Sequence, residues 1–372
     1  DQAPYYQTRI VAAQLAALHK AIFVIGSATP LVQDYYFAEQ KTKPILRMHN
    51  SAKNTSLEQA LEISVVSLKK KNEFTKKQHI SDRLIEQIEK TIRSGEQALI
   101  FLNRRGTARS IVCENCDWQA SCPHCSLPLT YHGDDHLLRC HTCGRTQKPF
   151  ISCPQCSHPT IMLRGIGTKA IENEIQKLFP DAKIKRFDAD NKKSERLEHH
   201  YEDIRSGKIN IIIGTQVLAK GLDLPNLGLV GIIIADTGLA FPDYTSQEKT
   251  YQMLRQVIGR VGRGHRQGRV IVQAYNTKNP AIKAAIGGKW NEFYRQELAE
   301  RKIFNFPPFC FLLKTTCRRS TPEATYRASI KYIDTLKEHK LRIDIDGPSP
   351  CFYEKIGNKY EWQIVLKASN RS

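Results

Sequence analysis

Eight of the eleven cysteines fall between Cys113 and Cys156, all as C-x-x-C pairs: Cys113/Cys116, Cys122/Cys125, Cys140/Cys143 and Cys153/Cys156. Gaps of 5, 14 and 9 residues separate them. A C-x-x-C unit turns two thiolates towards one point, so two units can complete a tetrahedral all-sulfur Zn²⁺ site. Four units make two structural Zn²⁺ sites, and three pairings are possible. The 14-residue gap is close to a zinc-ribbon spacing, which favours joining the second and third pairs. The first and fourth then close around them, with Cys113, Cys116, Cys153 and Cys156 in one site and Cys122, Cys125, Cys140 and Cys143 in the other. Closed four-thiolate sites have no open position for catalysis, so the metal supplies folding free energy. His124, His132 and His141 lie near, but eight thiolates already fill two sites. Trp118, Arg139 and Arg145 suit contact with nucleic acid or a partner surface.

A second group of residues suits phosphate. The segment Gln256-Val257-Ile258-Gly259-Arg260-Val261-Gly262-Arg263-Gly264 carries two arginines three apart, which share one face if the segment is helical. Arginine presents a planar fork of donors that matches phosphate oxygens and can stabilise charge on a transferred γ-phosphoryl group. Gly214 to Asp223 follows the apolar run Ile211–Ile213, at the carboxyl end of an expected parallel strand, where such sheets bind ligands. Gly26-Ser27-Ala28-Thr29-Pro30 closes another apolar run, Ala21 to Ile25, which reads as a buried strand. Tyr5 and Tyr6, beside Arg9, could stack on the bases of a single strand or pack in a core.

Alternating helices and short apolar strands must position these groups. Helical spacing covers Ile10–Leu18, Ser81–Arg93, 168–179, 192–206, a segment near 246–258, and 277–306. Strands are expected at Ala98–Leu102, 183–188, Ile209–Ile213, Leu229–Ala235 and Arg269–Tyr275. Residues 40–80 read as a connector with one short strand near Ile63–Leu68. This alternation means a parallel sheet covered on both faces, with the cysteine block inserted after its first strand. Beyond the breaker Phe306-Pro307-Pro308-Phe309, strand, helix and strand patterns describe a small α+β domain.

The chain has 372 residues, 56 Lys+Arg against 37 Asp+Glu, and a net charge of +19, with 41% hydrophobic residues. That composition excludes a mostly disordered chain, and no apolar run is long enough to span a membrane. The positive excess favours a polyanion partner, nucleic acid first. Paired cysteines without an export signal point to metal in a reducing, cytoplasmic compartment.

G-S-A-T-P, then G-T-Q-x-L-A-K-G, then Q-V-x-G-R-x-G-R resemble motifs III, V and VI of superfamily 2 helicases. The cysteine insertion is more specific, as are Phe101-Leu102-Asn103-Arg104-Arg105-Gly106, Gly165-Ile166-Gly167-Thr168 and Asp346-Gly347-Pro348-Ser349-Pro350. Together they resemble the bacterial primosomal replication-restart helicases, the primosomal protein N′ family, over essentially the whole chain. The resemblance implies the nested zinc pairing.

It also implies a RecA-like lobe, a doubly wound parallel sheet, with an inserted double-zinc module. Residues 1–45 would be the end of a first helicase lobe and 46–112 a connector and the start of a second. Residues 113–156 would be the zinc insertion, 157–276 the second lobe, and 277–372 a helical linker and a C-terminal domain cut short. By the same resemblance, Arg260, Arg263 and Gln256 serve catalysis. Gly214, Thr215, Gly221 and Asp223 meet the nucleotide. Tyr5, Tyr6, Ser27, Thr29, Arg104, Arg105, Gln216 and Lys220 meet DNA. The expected activity is ATP-dependent 3′→5′ unwinding at stalled or branched forks, with primosome assembly. ATP and Mg²⁺ would be cofactors beside two Zn²⁺. The expected partners are branched or single-stranded DNA, single-strand-binding protein and the replicative helicase loader, in a nucleoid-associated protein. No phosphate loop and no Asp-Glu-x-His motif occurs in these residues, so this piece alone is expected not to hydrolyse ATP, its Mg²⁺ site lying mainly in a missing lobe. The alternatives are another superfamily 2 branched-DNA translocase, or a non-enzymatic zinc-ribbon protein that binds nucleic acid.

Overall fold

A computed structural model describes residues 7–48, 61–103, 111–113, 115–116, 118–125, 127–132, 136–158, 160–162, 168–187, 197–215, 224–262 and 267–369. The chain divides into two compact units, Asp1–Pro30 and Leu31–Ser372.

In the first unit, helix Thr8–Leu18 forms as its apolar spacing predicts. The run Ala21 to Ile25 does not become a strand, and Ile22 and Val24 are 92% and 80% exposed. A buried parallel strand needs hydrogen-bonding neighbours and cover on both faces. No strand among the described residues pairs with this run.

The second unit is built on a six-stranded sheet in the order Leu61–Ser67, Gly268–Ala274, Leu227–Ile232, Gln97–Phe101, Ile211–Gly214, Ile184–Phe187. Every pairing in it is parallel. Side chains alternate between two cores, as the two-residue period of a strand requires. Leu99, Phe101, Ile212, Val230 and Val272 face one core with Leu254, Val257 and Ile282. Ala98, Ile100, Ile211, Ile213 and Ile271 face the other with Leu84, Ile88, Ile171 and Ile175. Helix Asp82–Arg93 starts at Ser81, whose hydroxyl accepts the Leu84 amide at 3.3 Å.

The segment near Ile63 is therefore more than a connector. Leu61–Ser67 is an edge strand paired along its length with Gly268–Ala274. The cysteine insertion consequently follows the second strand of the sheet, not the first. The 277–306 segment forms two helices, Pro280–Ile286 and Trp290–Ile303, broken at Gly287-Gly288. In the 192–206 region a 3₁₀ turn, Leu197–His200, leads into the short helix Tyr201–Arg205.

Two small antiparallel sheets make up the cysteine module. One pairs Ile111–Cys113 with Thr160–Met162, and the other joins Thr130–His132, Leu137–Arg139 and Thr146–Gln147. The C-terminal sheet is antiparallel, ordered Phe311–Arg319, Lys359–Ala368, Ile343–Ile356, and helix Pro322–Glu338 covers it through Ile333 against Ile364 and Leu366. No helix among the described residues is long and apolar enough to cross a membrane.

Candidate metal centres and phosphate-binding loop

The eight thiols gather into two groups of four, Cys113, Cys116, Cys153, Cys156 and Cys122, Cys125, Cys140, Cys143, with all sulfurs in each group within 4.8 Å of one another. This is the nested pairing favoured by the spacing. Sulfurs at the corners of a Zn²⁺ tetrahedron with 2.3 Å bonds stand about 3.8 Å apart. The closest pairs lie at 3.4 Å (Cys113–Cys156), 3.5 Å (Cys116–Cys153), 3.6 Å (Cys122–Cys143) and 3.4 Å (Cys125–Cys140), and no disulfide forms. The donor set and its dimensions fit two zinc ions.

Each knuckle is closed by the same backbone bond, from the amide of its first cysteine to the carbonyl five residues on. The four are Cys113 to Trp118 (2.7 Å), Cys122 to Leu127 (2.8 Å), Cys140 to Arg145 (2.8 Å) and Cys153 to His158 (2.6 Å). Repetition of one turn four times explains how 44 residues with few large apolar side chains orient eight thiolates.

The nearby histidines are occupied elsewhere. His124 Nε2 meets Asp346 Oδ1 at 3.0 Å. His141 Nδ1 faces the Pro350 carbonyl at 3.0 Å, so that nitrogen carries the proton and donates. His141 Nε2 must then accept from His132 Nε2–H, 3.0 Å away. Burial holds the His141 ring neutral and pushes its pKa down to about 4. Trp118 packs edge-on against Phe150, with ring centroids 4.8 Å apart. Much of its ring is thus committed inside the module. The module core also recruits Phe306, Phe304, Tyr244 and Leu312 from outside the cysteine block.

The expected helical arginine pair is corrected by the backbone. Helix Ser246–Ile258 ends before Arg260, with Gly259 as its C-cap. Gly262 then adopts φ +80°, which glycine takes without the steric cost other residues meet. Gln256 lies on the last turn, while Arg260 follows in the loop, its amide on the Val257 carbonyl at 3.1 Å and its side chain buried. Val261 and Gly262 lie against Gly268, the first residue of its strand: a Cβ there would stand 2.8 Å from the Gly262 nitrogen.

Gly214 and Thr215 sit at the other end of the sheet. Gly214 aligns through Phe101 and Ile232 with Val272, four residues along the strand from Gly268. That is about 13 Å along the strands and, across three strand spacings, about 14 Å sideways. The strand positions Gly268 and Gly214 are therefore roughly 19 Å apart within the sheet. Thr215, Asn103 and Asp236 mark the carboxyl ends of three strands, with Asp236 Oδ2 accepting the Asn276 amide at 2.7 Å. In the first unit, the Ser27 hydroxyl accepts the Thr29 amide at 3.1 Å, a polar turn as its sequence suggests. Tyr5, Tyr6, Arg104, Arg105, Gln216, Lys220, Gly221, Asp223 and Arg263 lie outside the described residues.

Three family profiles match successive parts of this architecture. The helicase conserved C-terminal domain covers residues 136–265, the PriA DNA helicase Cys-rich region domain 122–148, and the primosomal protein N C-terminal domain 302–372. The replication restart protein PriA of Treponema pallidum is 36% identical over 98% of this chain and 54% of its own length. Those of Bacillus subtilis and Haemophilus influenzae are 34% and 32% identical, over 99% and 98% of this chain and 46% and 50% of theirs. The chain belongs to the PriA family. It spans about half the length of the curated relatives it matches. The PriA assignment accounts for the parallel RecA-like lobe, the two Cys₄ zinc groups within it and the small C-terminal sheet as one arrangement. A solved structure of S. cerevisiae Dbp5 bound to RNA and ADP BeF3 aligns at 13% identity over 82% of this chain and 60% of its own, with a TM-score of 0.34.

A buried cluster unforeseen in the sequence joins these parts. Arg301 and Glu297, on helix Trp290–Ile303, and Glu248, in the first turn of helix Ser246–Ile258, each expose less than 5% of their side chains. Burial pushes the Glu297 carboxyl up to about 7, against the pull of Arg301. In sequence, charged residues on a helix read as a solvated face.

Proposed function

We propose that the protein is an ATP-dependent DNA helicase that acts in the 3′→5′ direction at stalled or branched forks during replication restart. The observation that supports this best is the zinc module built into a helicase C-terminal lobe, with PriA-family profiles matching residues 122–148 and 302–372 and a helicase C-terminal profile matching 136–265. On this reading the boundaries at 45, 112, 156 and 276 separate the end of a first lobe, the connector, the zinc insertion, the second lobe and the C-terminal domain.

Arg260 and Arg263, with Gln256 behind them, meet the γ-phosphate and stabilise the charge that develops on it. Gly214, Thr215, Gly221 and Asp223 serve the nucleotide. Gln216 and Lys220, with Arg104 and Arg105 beyond Asn103, hold DNA backbone. Ser27, Thr29, Tyr5 and Tyr6 contact DNA. Mg²⁺ accompanies ATP, and among the described residues the Cys₄ groups are the clusters of three or more metal-type ligands. The net charge of +19 favours the polyanion and makes affinity fall with salt. Single-strand-binding protein and the replicative helicase loader are the partners, in the cytoplasm at the nucleoid.

The test uses the full-length protein on a labelled fork carrying one single-stranded arm of either polarity. ATP-dependent strand separation from a 3′ arm, with none from a 5′ arm, is expected. Strand separation without ATP, or none from either arm, contradicts the reading.

A further inference from the structure

Arg301 uses every side of its guanidinium. Nε and Nη2 donate to Glu297 Oε1 at 2.9 and 2.8 Å, Nη2 also to Glu248 Oε2 at 2.8 Å, and Nη1 to the Pro307 carbonyl at 3.3 Å. The other oxygen of Glu248 accepts the Val32 amide at 2.7 Å. The Arg301 guanidinium also lies over the Tyr244 ring, 5.1 Å from its centroid, and Tyr244 stacks on Phe306 at 15°. Phe306 belongs to the core of the zinc module, beside Cys122, Cys125 and Leu138.

Buried charges are an inefficient way to hold helices together. Apolar residues of similar volume usually give equal or greater stability. What the arginine fork adds is a fixed geometry between its partners. Here the partners are the start of helix Ser246–Ile258, the linker helix Trp290–Ile303 and the entry to the C-terminal sheet. Helix Ser246–Ile258 runs the length of the sheet, about 20 Å for its 13 residues. Its first turn lies by the carboxyl ends, where Gly238 abuts Thr250, and its far end delivers Gln256 and Arg260 by the amino ends. Packed along its length through Tyr251, Leu254 and Val257, the helix moves as one body, so a shift of its first turn is carried to its far end, and about 1 Å of misplacement can cost about a hundredfold in rate.

We propose that Arg301 is a positioning residue: by locking Glu248 against Glu297 and Pro307 it fixes the tilt of this helix and registers Arg260 against the zinc module. The proposal rests on the reading that Arg260 serves ATP hydrolysis.

The test uses the full-length protein with Arg301→Lys, and separately with Arg301→Met combined with Glu248→Gln and Glu297→Gln, which empties the cluster of charge. Zinc content, melting temperature, and kcat and KM for DNA-stimulated ATP hydrolysis are measured. Both variants are expected to keep two zinc ions per chain. KM for ATP should stay within about twofold while kcat falls about tenfold or more. The triple variant should melt near the wild type and still show the kcat loss, a split that a merely structural role would not produce. A folded variant with wild-type kcat overturns the proposal. So does loss of fold and zinc in both variants, because the cluster is then structural. Arg260→Ala with wild-type kcat instead removes the underlying ATPase reading, whatever Arg301 does.

Discussion

His141 donates its Nδ1 proton to the carbonyl of Pro350 at 3.0 Å, and its own carbonyl accepts the Ser349 hydroxyl at 3.1 Å. The Gln363 amide reaches the same carbonyl. His124 adds a contact to Asp346, which Lys367 also pairs at 3.2 Å. A turn between two zinc-binding thiolates is thereby bonded to a sheet some two hundred residues later in the chain. The inner zinc site and the C-terminal sheet are one packed body, so metal occupancy and stability of that sheet are linked.

Nested pairing has a direct stoichiometric consequence. Cys116→Ser and Cys153→Ser should each lose one of two zinc ions, and combining them should lose no second ion. Cys116→Ser combined with Cys143→Ser should lose both. Metal content by mass spectrometry reads this, and loss of both ions from the Cys116/Cys153 pair would contradict the pairing.

Gly144 tests the seam between the module and the C-terminal sheet. Its φ is +79°, and a Cβ would stand 2.9 Å from the Pro348 carbonyl oxygen and 3.3 Å from Ser349 Cβ. Gly144→Ala should therefore cost about 2 kcal/mol or more, roughly half from the left-handed backbone and the rest from the clash. Denaturant unfolding measures it, and an unchanged midpoint would refute the tight seam.

The Glu297 carboxyl gives the protein a pH signature. Its pKa is raised from 4.5 to about 7 by burial. A folded pKa above the unfolded one means the folded state holds a proton that the unfolded chain releases. The contribution is fully present below about 4.5 and is lost as pH rises through about 7. Relative to Glu297→Gln, the wild type should lose about 2 kcal/mol of stability between about pH 5 and pH 7.5. Parallel stability–pH curves for the two proteins would show that Glu297 does not titrate in this window.

Most of the sheet was legible because its strands are short all-apolar runs, Leu99 to Phe101 and Ile211 to Ile213 among them, and a parallel sheet covered on both faces needs such runs. The zinc pairing was legible for a different reason: ligand spacing is a local geometric constraint. The Ala21–Ile25 run misled because composition announces a strand without supplying its neighbours. Arg260 misled because helical spacing of two arginines says nothing of the glycines between them. Gly259 and Gly262 end the helix and put Arg260 in a loop. The edge strand Leu61–Ser67 was underrated since only Val66 and Ser64 on it are buried, leaving a weak apolar signal. The cluster of Arg301, Glu248 and Glu297 could not be read at all. Nothing local marks a charged helical residue as buried until distant elements close over it.

On the proposed reading, Arg260 acts on the transferred phosphate. DNA-stimulated ATP hydrolysis by the full-length protein carrying Arg260→Ala is the most direct measurement of it. An arginine that stabilises the charge on a transferred phosphoryl group is worth about a thousandfold or more in turnover. The expected result is a loss of that order in kcat, with two zinc ions retained and DNA binding intact. Wild-type turnover in a folded, zinc-loaded Arg260→Ala protein would contradict a role for Arg260 at the phosphate.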